Sequence, residues 1–173
     1  MTLIIRTRVD ADLPALGSAL VEQQAASGYP HRDPLPMAPE DFIARSGILA
    51  AWTAEVDGTP VGHVANLPVR EDGHEPELAR LWMTGHGLPA ERLGEVGVYF
   101  TSVGVRGTGV GSALMRAALA DLEARNLMPC LDVVPTGAAV EYYRRSGWVE
   151  VGSTRPSWLE DDAPDVIAMI LPR

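Results

Sequence analysis

"VGVRGTGVGSALM", Val103–Met115, decides the fold. Gly104, Gly107, Gly109 and Gly111 leave four of eight consecutive residues without a Cβ, and a helical pattern begins directly behind them. Ahead of the loop, "EVGVYFTSVGV" (95–105) predicts a strand. Behind it, Gly109 to Arg125 predicts a helix with Val110, Leu114, Ala117, Ala118 and Leu122 on one face. A strand, a glycine-rich turn and a helix N-terminus together make an anion site. The first-turn amides have no intrahelical acceptor, and the helix dipole adds positive potential. Glycines remove the side chains that would block a phosphate and allow the dihedrals of a backbone nest. Arg106 adds a charge at the rim.

Working outward, "LIIRTRV" (3–9) predicts a first strand. A helix follows, with Asp10 or Asp12 as its cap, Pro14 in its first turn and Leu13, Leu16 and Leu20 on one face. A Pro-rich loop (27–39) leads to a short helix, "PEDFIARSG", ended by Gly47. "ILAAWTAEV" and "PVGHVANLPV" flank Asp57-Gly58, a strong hairpin signal. Residues 68–93 are ambiguous, with "PELARLWM" readable as helix and "TGHGLPAE" as loop. Beyond the glycine loop come a strand, "MPCLDVV", and a helix, "GAAVEYYRRS", capped by Thr136 and closed by Gly147. Two strands, "WVEVGS" and "DVIAMIL", end the chain. The expectation is an α/β (α+β) fold: a mixed, partly antiparallel sheet flanked by helices.

Residues 1–173 are expected to form a single domain, because 173 residues at 46% hydrophobic content can bury one core. Against 23 acidic residues stand 14 basic ones, a net charge of −9, which argues against nonspecific nucleic-acid binding. No apolar run approaches the ~18 residues of a membrane span, and the N-terminus has no signal-peptide core. A soluble cytoplasmic protein is expected, with no membrane partner. The one cysteine, Cys130, lies in an apolar run and reads as an inert core thiol. His31, His63, His74 and His86 are scattered, so no metal site is expected.

Three phosphate loops compete for the glycines. A nucleoside-triphosphate loop matches Gly104 and Gly109 but puts Val110 where its lysine must stand. A dinucleotide loop matches Gly107 and Gly109, with Ser112 in place of the third glycine. That fold carries its loop after the first strand, whereas four strand candidates precede this one. The remaining spacing is Arg106-x-x-Gly109-x-Gly111. It resembles the signature of the GCN5-related N-acetyltransferases, whose loop follows the fourth strand and wraps the pyrophosphate of acetyl-coenzyme A. "AAVEYYRRSGWVEVGS" (138–153) is similar to the family's second signature, with Ala139, Tyr143, Gly147 and Trp148 in place. The opening "IIRTRVDADLPAL" is similar to the family's first strand and helix. One departure is visible: many members carry Asn where this chain has Thr136.

The resemblance implies acetyl transfer from acetyl-coenzyme A, as co-substrate, to a primary amine of a small molecule or peptide by direct attack. A non-catalytic acyl-coenzyme A-binding module is the alternative, and a homodimer is compatible with either. Coenzyme contacts implied are Arg106, Gly107, Thr108, Gly109, Val110, Gly111 and Ser112 at the pyrophosphate. The backbone of Phe100, Thr101 and Val103 is implied at the acetyl and pantetheine portion, and Thr136, Ala139 and Tyr143 nearby. Tyr143 matches the family's proton donor to the leaving thiolate; Tyr142 points about 100° away on the same helix. The family's frequent acid falls at Gly97, so Glu95, two residues earlier on the same face, is the candidate base, with His63 a second. Tyr29, His31, Trp52, Trp82 and His86 are candidate acceptor contacts. The acids of "WLEDDAPD" (158–165) would suit a cationic acceptor.

Overall fold

The computed structural model describes all 173 residues. The chain forms two compact units, Met1–Leu67 with Val96–Asp121, and Pro68–Glu95 with Leu122–Arg173. Strand β4 (Leu93–Thr101) and helix α4 (Val110–Ala124) each contribute residues to both.

In the first unit, β1 (Leu3–Thr7) pairs antiparallel with β2 (Ala50–Val56), from Leu3↔Val56 to Thr7↔Trp52. β2 turns into β3 (Thr59–Pro68) at Asp57-Gly58, where φ is +49° and +83°. Two positive φ values are what a two-residue hairpin of matching twist requires, and Asp-Gly accepts them. β3 in turn neighbours β4. Helix α1 (Leu13–Ser27) and the short α2 (Pro39–Ile43) cover a core of Leu16, Leu20, Ile43, Ala51, Ala65, Val98 and Phe100. Helix α2 stops at Ile43, capped by Ala44, so Gly47 (φ +82°) belongs to the turn beyond it and does not end the helix.

The second unit holds the parallel part of the sheet. The start of β4 pairs parallel with β5 (Met128–Val133), from Leu93↔Met128 to Glu95↔Cys130. β5 pairs antiparallel with β7 (Val166–Ile170), and β7 with β6 (Val149–Thr154). The ambiguous stretch forms helix α3, Pro76–His86, which extends past the expected helix into what read as loop; Gly87 (φ +66°) closes it. Its apolar face joins Leu78, Ala79 and Trp82 to Leu93, Cys130, Val166, Ala168 and Ile170. With a parallel pair beside antiparallel ones and helices packed on the strands, the mixed α/β class is as expected. No helix is long and apolar enough to cross a membrane.

Asp12 does not cap α1. The position is the N-cap, but no side-chain bond to the helix forms. Its carboxylate instead accepts from both terminal nitrogens of Arg6 (2.8 and 2.7 Å), the Val9 amide (3.0 Å) and Thr53 Oγ1 (2.8 Å), while only 3% exposed. The Arg6 bonds, helped by the Val9 and Thr53 donors, hold the Asp12 carboxyl down at about 2 against a desolvation effect of opposite sign. Arg6 also reaches Glu55 (3.0 Å), so β1, β2 and the entry to α1 are tied at one buried charge.

Candidate functional site

Strand β4 ends at Thr101, four residues earlier than the sequence suggests, because Val103–Val105 form a single 3₁₀ turn. That turn and the next are closed by Val105 N–H to Ser102 O (3.3 Å), Arg106 N–H to Val103 O (3.1 Å) and Thr108 N–H to Val105 O (3.3 Å). The Thr108 hydroxyl also donates to Val105 O, at 2.7 Å. Gly107 and Gly109 sit at φ +75° and +90°, a region that L side chains avoid. A Cβ built at Gly104, Gly107 or Gly109 would meet no atom within 4 Å. The first helical bond of α4 runs from Ala113 N–H to Gly109 O (3.0 Å). The amides of Val110, Gly111 and Ser112 therefore precede any intrahelical acceptor. Val110 anchors this turn with a fully buried side chain.

Gly111 differs. A Cβ there would lie 2.7 Å from the hydroxyl of Tyr99, so this glycine is required by packing and not by space for a phosphate. Arg106 is exposed, and its guanidinium is bonded to the end of α1: to Ala26 O and to Gln23 Oε1, both at 3.3 Å. Gln23 is 2% exposed and follows Leu16 and Leu20 on the inward face of α1. A polar residue at a core position of that helix was the available signal that the loop's arginine has a built partner.

β4 carries the segment assigned to the acyl donor. Its ladder with β5 stops at Glu95↔Cys130. Val98 then takes φ +48°, which for a β-branched residue is strained by roughly 1–3 kcal/mol. The Val98 carbonyl receives His63 Nδ1 at 2.8 Å. Phe100 is 5% exposed and stacks on the His63 ring, centroids 5.9 Å apart. Ser102 N–H donates to Val61 O at 2.7 Å, Thr101 is half-buried and Val103 is 50% exposed. Phe100 thus serves the core with its side chain, leaving backbone atoms as its only route to a ligand.

Of the two candidate bases, Glu95 is half-buried inside β4, the third residue of the strand and not its exposed end. His63 is not half-buried but fully enclosed. Burial, more than any other influence, lowers its pKa to about 4, and Nε2 has no partner. A ring closed to solvent and bonded through Nδ1 is a poor proton acceptor for an amine.

In the second unit, helix α5 spans Ala139–Arg145. Thr136 does not cap it: Ala138 is the N-cap without a side-chain bond, and Thr136 is exposed in the turn before. Gly147, at φ +90°, closes the helix one residue after the C-cap Ser146, as expected. Tyr143 is half-buried, its ring edge-on to Trp148 (5.9 Å) and Tyr142 (5.4 Å), with Tyr142 the more exposed. Ala139, one turn before Tyr143, is exposed. Trp82 proves to be core, 3% exposed with Nε1 donating to Leu131 O (3.0 Å). His86 bonds Pro129 O through Nε2 at 3.0 Å. Cys130 is fully buried, its thiol pushed well above the usual range chiefly by burial, which fits an inert core role. The acidic loop is pinned by Arg155, which bonds Glu160 O, Ala163 O and Asp165, leaving Glu160, Asp161 and Asp162 exposed.

A sequence model described as the acetyltransferase (GNAT) family matches residues 18–148, more than half of the chain. The chain belongs to the GNAT family. It is an acyltransferase by that membership, and GNAT proteins generally use acetyl-coenzyme A as co-substrate. Solved GNAT structures share the fold. The ribosomal-protein-S18-alanine N-acetyltransferase of Escherichia coli is 17% identical, covering 99% of this chain and 94% of its own, with a TM-score of 0.67. The ribosomal-protein-alanine N-acetyltransferase of Brucella melitensis is 20% identical over 96% and 98%, with a TM-score of 0.68. A spermidine N-acetyltransferase chimera from Vibrio cholerae and hSSAT is 19% identical over 99% and 95%, with a TM-score of 0.67. At these identities the likeness concerns the fold alone. No curated protein sequence matches the chain significantly.

Proposed function

We propose that this GNAT enzyme transfers the acetyl group of acetyl-coenzyme A to a primary amine of a small molecule or peptide by direct attack, within one catalytic domain. The observation that carries the reading is the loop between β4 and α4. It has glycines open to solvent, left-handed dihedrals at Gly107 and Gly109, and three first-turn amides ahead of the first helical bond. That arrangement suits the two phosphates of a pyrophosphate. In this reading the amides of Gly107, Gly109, Val110, Gly111 and Ser112 bind it, with Thr108 and Arg106 at the rim.

Acetyl-coenzyme A supplies an acyl group already activated as a thioester. The chain's own groups then have three tasks. Backbone groups of Phe100, Thr101 and Val103 orient the acyl carbonyl and offer hydrogen bonds to charge developing on its oxygen. Glu95 takes a proton from the attacking amine, directly or through water. The Tyr143 hydroxyl gives its proton to the departing sulfur, as a phenol acting as general acid can. The assignment of Tyr143 rests on its place between Ala139 and Gly147 in the second signature.

The test follows free thiol release with an amine panel. Tyr143→Phe removes one oxygen. We expect kcat to fall at least ~100-fold, about 2.7 kcal/mol, with acetyl-coenzyme A affinity nearly unchanged. Tyr142→Phe should be close to silent. If Tyr143→Phe keeps more than about a third of wild-type kcat with chemistry rate-limiting, water is the proton donor and the ring a packing residue.

A further inference from the structure

Three consecutive residues of β3 grip β4 from Val98 onward, beyond its ladder with β5. Val61 accepts the Ser102 amide at 2.7 Å. Gly62 lets β4 come close: a Cβ there would lie 3.1 Å from both Phe100 O and Thr101 Cγ2. His63 donates from Nδ1 to the carbonyl of Val98, the residue forced to φ +48°, and stacks on Phe100 with an interplanar angle of 28°. The first two contacts are of kinds common between strands. The third is not, because His63 is wholly buried and its Nε2 lone pair meets no donor.

An apolar side chain would fill that space without an unpaired acceptor. The histidine brings one thing an apolar residue lacks: an N–H aimed at the carbonyl of Val98, the one β4 residue with a left-handed φ. A buried carbonyl needs such a donor, and the residues that follow, 99–102, lead directly into the glycine loop. We propose that His63 is a positioning residue, which holds the left-handed backbone at Val98 and so sets the course of Phe100–Ser102 into that loop. The consequence for the acyl donor rests on the acetyl-transfer reading above; the consequence for the backbone does not.

Three variants separate the donor from the bulk. His63→Asn keeps an N–H at the place of Nδ1 on a smaller side chain. His63→Gln carries its N–H one bond further out, and His63→Leu has none. Two readouts are taken: amide exchange of residues 98–103 relative to the remainder of the first unit, and acetyl-coenzyme A affinity by calorimetry. The Leu and Gln variants are expected to exchange at least about tenfold faster in that segment and to bind at least about tenfold more weakly, while Asn stays within about threefold of wild type in both. Equal behaviour of Asn and Gln overturns the proposal. So does a Leu variant with exchange and affinity within about threefold of wild type. Should His63→Leu fail to fold, the Asn and Gln pair decides alone. A wild-type protein that binds no acetyl-coenzyme A sinks the acetyl-transfer reading, and the exchange comparison still decides the role of His63.

Discussion

Two polar regions of the first unit are built in opposite ways. The Asp12 carboxylate is turned inward and saturated: four donors from Arg6, Val9 and Thr53 surround it, and water has almost no access. The loop at 104–112 is turned outward. Gly104, Gly107 and Gly109 face open space, and its helix amides precede any acceptor of their own. A polar group saturated from within adds to the uniqueness of the fold and has nothing left to offer a ligand. One left facing out gives little to stability and keeps its hydrogen-bonding capacity for a partner. Substitutions should therefore separate: unfolding should respond to the first region, and affinity to the second.

The largest effect is expected at Asp12. Asp12→Ala strands Thr53 and leaves Arg6 with Glu55 as its one carboxylate partner, so chemical denaturation should show a loss of about 3 kcal/mol. The same group makes stability depend on acid. Its folded pKa, about 2, lies below the ordinary 3.8, so the contribution is complete above about pH 4 and is lost as pH falls toward 2. A denaturation series in that window should show the extra slope in wild type and its absence in Asp12→Asn. If the slopes coincide, the inward region does not carry the charge described here.

A smaller effect belongs to the loop. Gly109→Val forces a β-branched residue to φ +90° and adds bulk where a phosphate is proposed. Acetyl-coenzyme A affinity should fall at least tenfold, about 1.4 kcal/mol, in a protein that remains folded. Unchanged affinity by calorimetry would remove the loop from the site and break the comparison. The smallest effect is the sharpest control. Gly104 has no positive φ and an open Cβ direction, so Gly104→Ala should change stability by less than about 0.5 kcal/mol. A larger loss of thermal stability would show that this region packs inward after all.

What the sequence disclosed followed the same division. Asp57-Gly58, Gly107, Gly109 and Gly147 were legible because each needs a backbone conformation that few residues supply, and the residue type announces it. The Ala139–Tyr143–Gly147–Trp148 spacing was legible as a family signature. Val98 was hidden: valine gives no local sign of a left-handed φ, and its contact with His63 joins residues 35 apart in the chain. Gly111 was legible as a residue that must be small, but the reason, the Tyr99 hydroxyl, lies twelve residues away. Asp12 and Thr136 have side chains that suit helix caps. Asp12 is diverted by a stronger partner in Arg6, and at Thr136 the helix begins too late, at Ala139.

Gln23 gives the loop a property that its own residues do not provide. A side-chain amide has two different ends. The nitrogen of Gln23 donates to Leu20 O (3.1 Å) and to Tyr29 O, while its oxygen accepts the Ser27 hydroxyl (2.6 Å) and Arg106. Turning the amide round would set oxygen against two carbonyls and nitrogen against two donors, so α1 fixes its polarity. The oxygen is consequently held toward Arg106. Part of the rotamer entropy of the guanidinium has thus been surrendered during folding, so in the proposed acetyl-transfer reading the loop is preorganised for the pyrophosphate.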